Sequence, residues 1–414
     1  MSGQFKLNPK LLQIPILLYS ILGISYWFFF LEPGMGDEGM MALYLDEATE
    51  SGLYRLLQSG KYSIPHAILV YPLSLIFPSY LSLRILSLLG TTFIFYYLCR
   101  RHAPNSVEFK LHLLFYLTSG SFLLGTNDNL LICFLLVFIS ESLLYFSGKS
   151  PRIPAAAWFC LVSAFFTREM AIIYLPLILG IVVYIQLTKR VGYREGLLIM
   201  GSIAFWIILN LPAIGQNGAV SFDSKNVAAQ ENVTWPQRQY LSQIYANQGL
   251  IPEFSHVSWE ETRNYLLKNG EDSLPSTTFD SLLFDIQLTW KEFWKDWFFI
   301  LKAGFRQTGL AILFPFLGWF LLGKKDSFLK LLGTGQLVQM LIFAVLIISY
   351  VEIRWLAPAL LIGIIGLEKI TESSEKGPVI RTLNEWMLLV LASYGIFKYV
   401  LLIKGTGTWL HWIS

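Results

Sequence analysis

Four small groups of ionisable side chains each lie at the end of a long apolar run. The groups are Asp37 with Glu38, Asp128, Arg168 with Glu169, and Glu352 with Arg354. A charge inside a membrane-spanning helix costs about 2.5–3.5 kcal/mol at the bilayer centre and less near the edge. Each group is therefore expected to face a partner or a water-filled cavity. Because carboxylates accept protons and guanidinium groups pair with anions, a pocket that combines them is a candidate site.

Taken singly, these residues also fit purely structural roles. Asp37 and Glu38 can cap a helix whose dipole favours acidic residues in its first turn. Asp128 can cap the apolar run that follows it, and Arg168 with Glu169 can form an interfacial ion pair of little consequence. Arg354 can extend its charged group to the membrane surface as an anchor. The types of these residues alone leave both interpretations open.

The elements that must position these groups are membrane-spanning helices. The chain has 414 residues, of which 54% are hydrophobic and 14% are charged, whereas soluble domains have about 25% charged residues. Its apolar runs are near the length of about 20 residues that crosses the hydrocarbon layer. The sequence therefore predicts an all-α, polytopic membrane protein, and a net charge of +3 gives no indication of nucleic-acid binding.

We predict about eleven spanning helices from the apolar runs. They lie near 11–31, 79–99, 110–126, 128–146, 154–167, 169–188, 196–213, 302–322, 328–349, 355–370 and 386–403. The first run is too long for the apolar part of a signal peptide, so it is expected to be a retained span. The chain then divides into an N-terminal membrane module (1–213), a large loop between spans seven and eight (214–301), and C-terminal helices (302–414).

Positive charges predict the orientation of these spans. Lysine and arginine cluster at alternate span ends, at Lys6/Lys10, Arg100/Arg101/Lys110, Lys149/Arg152, Lys189/Arg190/Arg194, Lys324/Lys325/Lys330 and Lys369/Lys376/Arg381. By the positive-inside rule these ends are cytoplasmic. The N-terminus is then inside and the C-terminus outside. All four ionisable groups fall at the outer ends of spans.

Two longer segments are expected on the outer side. The first, 32–78, begins with a helical pattern from Asp37 through Arg55, whose apolar residues are Met41, Leu45 and Ala48, so a helix in the membrane interface is predicted. Its end, 64–78, is apolar but interrupted by prolines, and it is predicted to be re-entrant or interfacial. The second, 214–301, suits sugar or acceptor binding through its tryptophans. Trp290, Trp294 and Trp297, however, favour an interfacial amphipathic helix.

The order of several short motifs resembles a known family. The motifs are Asp37-Glu38-Gly39, Ser51-Gly52-Leu53-Tyr54, Pro65-His66, Tyr71-Pro72-Leu73, Leu81-Ser82-Leu83-Arg84, Asn127-Asp128-Asn129-Leu130-Leu131, Phe166-Thr167-Arg168-Glu169 and Arg354-Trp355-Leu356-Ala357-Pro358. In this order they resemble the GT-C glycosyltransferases, in particular the branch of protein mannosyltransferases and lipid A aminoarabinose transferases. The resemblance covers roughly residues 11–190 and 345–370. In the family a lysine often precedes a pair of prolines. Here Ile64 stands in place of the lysine, and Pro65 is followed by His66 instead of a second proline.

The resemblance implies a sugar donor linked to a polyprenyl phosphate and an acceptor that is a lipid, a glycan or a protein. It implies transfer with inversion on the extracytoplasmic face, with Asp37 as general base and Glu38 and Asp128 as further catalytic carboxylates. Arg168 and Arg354 are the candidates for binding the donor phosphate, with Glu169 beside them in the substrate site. Lys61 and His66 are candidates to replace the missing lysine.

The same resemblance implies no cofactor, and although the carboxylates are hard oxygen ligands, a divalent metal is not favoured. The expected location is the cytoplasmic membrane of a bacterium, with the active site facing outwards. Two other functions stay open from the sequence. One is a transporter or flippase of a lipid-linked saccharide, which should carry polar residues at mid-bilayer depth. The other is a non-catalytic membrane scaffold with the same architecture.

Overall fold

The computed structural model describes residues 9–32, 36–120, 122–189, 192–222, 233–253, 255–323, 326–346 and 351–405. Within these residues the regular secondary structure is helical and contains no strand. The chain divides into two compact units, the first comprising 1–223, 304–336 and 357–414 and the second 224–303 and 337–356.

The helices of the first 223 residues begin with α1 (Pro9–Ser25), which continues as one π-helical turn over Tyr26–Phe30. Three shorter helices follow, α2 (Asp37–Ser51), α3 (Leu53–Ser59) and α4 (Ile64–Ser74). The remaining helices of this stretch are α5 (Ser79–His102), α6 (Val107–Leu117), α7 (Asp128–Phe146), α8 (Ala155–Thr167), α9 (Leu175–Lys189) and α10 (Tyr193–Asn217), and a 3-10 turn, Glu169–Tyr174, precedes α9.

The rest of the chain begins with four helices in the 233–308 region, α11 (Trp235–Asn247), α12 (Trp259–Asn269), α13 (Thr278–Phe284) and α14 (Ile286–Thr308). They are followed by α15 (Phe314–Leu321), α16 (Ser327–Val345), α17 (Ala357–Ser373) and α18 (Gly377–Gly405). Short 3-10 turns cover Glu271–Ser273, Gly309–Leu313 and Ile353–Leu356.

Seven helical segments in the described residues are long and apolar enough to cross a membrane. They are Lys10–Phe30, Ser79–His102, Asp128–Phe146, Glu169–Thr188, Tyr193–Asn217, Ser327–Val345 and Gly377–Gly405. Large apolar side chains such as Leu187, Met200 and Ile208 point outward from them, as expected of helices that lipid surrounds. The chain is a multi-pass helical membrane protein, as its composition predicts.

The seven segments match seven of the predicted spans, and the other four are divided or shorter. The helix predicted over 110–126 ends at Leu117, and Gly120, shortly after it, takes a positive φ of 92°. The chain over 302–322 is divided between the end of α14, a 3-10 turn and α15. The helices α8 and α17 have 13 and 17 residues, less than the usual length of a span.

Helices α2, α3 and α4 enclose a small apolar core together with Leu83 of α5. Met41, Leu45 and Ala48 lie in that core, so the predicted apolar face of the first of these helices is confirmed. The helix is shorter than the pattern predicts, since it ends at Ser51 and Gly52 takes φ 92° before the next helix begins. The 11-residue α4 is far shorter than a span, which agrees with the expectation of an interfacial or re-entrant piece.

The second unit has its own apolar core, built mainly from α11 and α12. Val233, Tyr240, Leu241, Val257, Leu266 and Leu274 are buried there, and Leu288 of α14 packs against them. Thr234 and Gln237 form a capping box at the start of α11, which satisfies the free amide groups of its first turn. Residues 233–303 therefore contain an ordered helical assembly.

Candidate functional site

Glu38, in the first turn of α2, forms a closed ion pair with Arg84 of α5. Its Oε1 lies 2.8 Å from Arg84 Nε and its Oε2 lies 2.7 Å from Arg84 Nη2, so the pairing is bidentate. The backbone amide of Gly125 donates to the same Oε1 at 2.9 Å. Both side chains are buried. Both carboxylate oxygens of Glu38 therefore accept hydrogen bonds from the protein, and every N–H group of Arg84 donates to a protein oxygen.

The remaining N–H groups of Arg84 bind the end of the first span. Nη1 donates to the carbonyls of Trp27 and Leu31 at 2.8 and 3.1 Å, and Nη2 donates to the carbonyl of Glu32 at 3.3 Å. Carbonyls at a helix end lack partners within the helix and carry partial negative charge. Arg84 therefore joins three segments: the end of the first span, the start of α2, and its own helix.

Gly125 brings the backbone against this ion pair. A Cβ atom at this position would lie 2.6 Å from Glu38 Oε1 and 2.7 Å from Leu83 Cβ. Both distances are below any ordinary contact, so a side chain here would force the backbone or the ion pair to move. The turn before α7 is in this way tied directly to Glu38, and it carries Asp128 a few residues further on.

Arg168 forms a second, more open cluster with Asp37 and Asp128. Its Nη2 lies 3.5 Å from Asp37 Oδ2, and its Nη1 forms a direct ion pair with Asp128 Oδ1. The side chain of Asp128 is 2% exposed and that of Arg168 12%, whereas that of Asp37 is 19% exposed. Asp37 is therefore the carboxylate of this cluster that a substrate can reach most directly.

Backbone geometry places each member of this open cluster at the end of a helix. Asp37 and Asp128 begin α2 and α7, where the helix dipole favours a negative charge. Arg168 follows α8 in an extended conformation. Asn127 connects the segments, because its Oδ1 accepts from Arg168 Nη1 at 3.0 Å and its Nδ2 donates to the carbonyl of Thr167 at 2.8 Å.

His66 of α4 lies near this cluster with one ring nitrogen unused. Its Nδ1 is 3.0 Å from the hydroxyl of Tyr62, and the two rings are stacked. In the described part of the chain its buried Nε2 has no hydrogen-bond partner. Burial, together with the positive charge of Arg168, lowers the pKa of His66 to about 3. The imidazole is therefore neutral at physiological pH, and its free nitrogen can hydrogen-bond a ligand.

Lys61, Glu169 and Arg354 are the other residues predicted to bind the substrate. Lys61 is exposed, with its ammonium 5.5 Å from the centre of the Tyr44 ring. Glu169 is exposed, and among the described residues no ion pair or hydrogen bond involves its side chain. Arg354 belongs to the second unit, where it is buried and pairs with Glu352 through Nε and Oε2 at 2.5 Å.

Two residues of the site were missed by the sequence reasoning. Arg84 was recognised only as part of a motif, although a single arginine inside an apolar span is itself a signal that a carboxylate must lie beside it. Asn127 carries no such signal, because an amide before a helix is common. No group of three histidine, cysteine or acidic residues in the described ranges is arranged to hold a metal ion.

The fold and the site define a class: a multi-pass helical membrane protein in which charged side chains from separate helix ends meet in one cluster. No family model matches the chain, and a search of curated proteins finds no significant match.

Proposed function

We propose that the protein is a membrane glycosyltransferase that moves a sugar from a polyprenyl-phosphate-linked donor to a lipid, glycan or protein acceptor. The observation that supports this most directly is the bridge that Arg168 makes between Asp37 and Asp128. These three residues come from distant parts of the sequence, and they combine a proton acceptor with an anion-binding group. The motif resemblance to the GT-C enzymes supplies the reaction class.

In the proposed reaction, Asp37 accepts the proton of an acceptor hydroxyl. The hydroxyl oxygen forms a bond to the anomeric carbon while the bond from that carbon to the phosphate oxygen breaks. The lipid phosphate leaves with the electron pair, and in-line attack inverts the anomeric configuration. Since the leaving phosphate is a weak base, no general acid is needed.

Arg168 is the proposed partner of the leaving phosphate. In the resting cluster its charge is shared between two carboxylates. When Asp37 takes up a proton, its attraction for Arg168 falls at the moment when the negative charge on the phosphate grows. The guanidinium can then stabilise that charge, while Asp128 and Asn127 hold it in place.

His66 is proposed to donate a second hydrogen bond to the phosphate. Among the described residues its buried Nε2 has no hydrogen-bond partner, and the charge of Arg168 acts on its ring. Glu38 takes a positioning role in this proposal, because its pairing with Arg84 fixes the first turn of the helix that carries Asp37. Lys61, Glu169 and Arg354 stay candidates for substrate contacts, and no step of the proposed reaction needs a metal.

The proposed topology has about eleven spans, with the four shorter or divided apolar segments completing the seven long ones. The cluster then lies at the extracytoplasmic surface of the membrane. The N-terminus is on the cytoplasmic side and the C-terminus on the other side. The alternation of lysine and arginine at span ends supports this orientation. The proposed location is the cytoplasmic membrane of a bacterium.

The test is complementation of a deletion strain with Asp37→Asn in the full-length protein. Mass spectrometry first identifies the glycan or lipid modification that is lost on deletion. The Asp37→Asn variant should lower its rate of formation by about 10²–10⁴-fold, as expected when a general base is removed. The matched control is Glu50→Gln, because Glu50 is an exposed carboxylate on the same helix.

Three outcomes separate the competing functions. A rate close to that of the unmodified protein in the Asp37→Asn variant contradicts the proposal and agrees with a non-catalytic scaffold. Release of free polyprenyl phosphate from the donor, lost in the variant, supports it. A flippase would move the donor while leaving its glycosidic bond intact, so an unaltered donor in the presence of the active protein also contradicts the proposal.

A further inference from the structure

A helix at the surface of a soluble protein buries its apolar face and exposes its charged face. Helix α14 shows the reverse arrangement. Its only two carboxylates, Glu292 and Asp296, are 2% and 6% exposed. On the other side, Trp290 and Phe298 are 61% and 63% exposed, and Trp294 is also exposed. The acidic residues are inside and the aromatic residues are outside.

Contacts within the second unit hold Glu292, one of these two buried carboxylates. Asn247 of α11 donates to Glu292 Oε1 at 2.7 Å, and Lys295 lies 3.5 Å from Oε2. Burial and the neighbouring charge of Glu292 raise the pKa of Asp296 to about 7. The bond from Asn247 and the packing of Leu288 against the core of the second unit turn this side of α14 inward, so its aromatic side chains point outward.

The exposed rings form one connected surface, here called the aromatic patch and consisting of Trp290, Trp294 and Phe298. The ring centroids of Trp290 and Trp294 are 5.5 Å apart, and those of Trp294 and Phe298 are 6.0 Å apart. The preceding α13 also exposes Phe279 and Leu283. A connected apolar surface of this kind marks a site that something else covers.

Lysines follow one edge of the aromatic patch. Lys291, Lys295 and Lys302 are spaced by four and seven residues, which places them along one side of a helix. Lys291 and Lys302 are exposed. Lysine at the edge of an aromatic face is typical of a helix at a membrane surface, where the ammonium reaches the lipid phosphates and the tryptophan rings lie at headgroup depth.

We propose that the aromatic patch is a lipid-binding surface that lies in the headgroup region of the bilayer. Lipid is the occupant that the chain itself indicates, because the protein is already a membrane protein and α14 runs directly into the apolar segment of Gly309–Leu313 and α15. This surface is independent of the proposed transferase activity. Its consequence is that the second unit contacts lipid through the aromatic side chains of α14.

The test places a spin label at Trp294→Cys or Phe298→Cys in the full-length protein, with the three native cysteines replaced by alanine, in phosphatidylcholine nanodiscs. Accessibility to oxygen, which concentrates in lipid, is compared with accessibility to a water-soluble nickel chelate. Lys268→Cys, an exposed position on α12, is the water control, and Ile208→Cys, which faces outward from a candidate span, is the lipid control.

Both patch positions should have an oxygen-to-nickel accessibility ratio at least about threefold above that at Lys268→Cys and below or equal to that at Ile208→Cys. Two positions are used so that a folding defect in one variant leaves the other to decide. A ratio equal to the water control overturns the proposal. Protection from both reagents also overturns it, because it would mean that protein, and not lipid, covers the patch.

Discussion

Asp37 and Glu38 are consecutive carboxylates in the same turn of α2, yet they belong to two different kinds of charged region. Glu38 is buried in a bidentate pair with Arg84 and also accepts an amide bond from Gly125. Asp37 is partly exposed and shares Arg168 with Asp128. In the closed pair both side chains are buried, and both carboxylate oxygens accept hydrogen bonds from the protein. In the open cluster one cation is shared by two carboxylates, one of which is partly exposed.

The largest expected effect comes from breaking the closed pair. Glu38→Ala leaves the buried guanidinium of Arg84 without its counter-ion, and loss of one partner of such a pair costs about 3–5 kcal/mol of stability. Asp37→Ala is the matched comparison, and because its site is partly exposed it should cost about 1 kcal/mol or less. The measurement is thermal unfolding of both purified variants in the same detergent. Equal losses in the two variants would remove the distinction between the regions.

The next effect comes from crowding the closed pair without changing any charge. Gly125→Ala places a Cβ within 2.6 Å of Glu38 Oε1, and overpacking of this kind costs about 1–3 kcal/mol. Gly201→Ala is the control, since a Cβ there meets nothing within 4 Å and alanine is preferred to glycine in a helix by about 1 kcal/mol. Unfolding midpoints should therefore move in opposite directions. If Gly125→Ala is as stable as the parent, the backbone at residue 125 or the ion pair of Glu38 can move at little cost, which contradicts the prediction.

The smallest effect concerns the pH dependence of the open cluster. The pKa of His66 is lowered from 6.5 to about 3 in the folded protein, so between these values the unfolded chain binds a proton that the folded chain does not. Stability therefore falls as the pH falls below 6.5, by at most about 1.4 kcal/mol per pH unit. In His66→Gln this contribution is absent. Unfolding midpoints of the parent protein and of His66→Gln are measured at pH 7 and pH 5. The midpoint should fall less in His66→Gln than in the parent. Equal falls in the two proteins would contradict a buried neutral imidazole.

The sequence predicts that Asp37, Asp128 and Arg168 lie near one another because charges at the ends of apolar runs must find partners. It cannot predict which partner each one takes. Glu38 and Asp37 differ by about 100° around their helix, and only the packed structure shows that one direction leads to Arg84 and the other to Arg168. The break between α2 and α3 at Gly52 was missed for a related reason, since the apolar repeat continues across a residue whose φ of 92° interrupts the helix.

The π-helical turn over Tyr26–Phe30 gives this region a sensitivity to chain length. Here the amide of Leu31 bonds to the carbonyl of Tyr26, five residues back, and the carbonyl of Trp27 is taken by Arg84. Such a turn holds one residue more than the regular helix around it. Deleting a single phenylalanine from Tyr26–Phe30 would keep the segment as apolar as before but close the wide turn and withdraw that carbonyl. This deletion leaves the hydropathy of the segment almost unchanged. It would nevertheless disturb the contacts of Arg84, as the loss of a charged residue from the ion pair would.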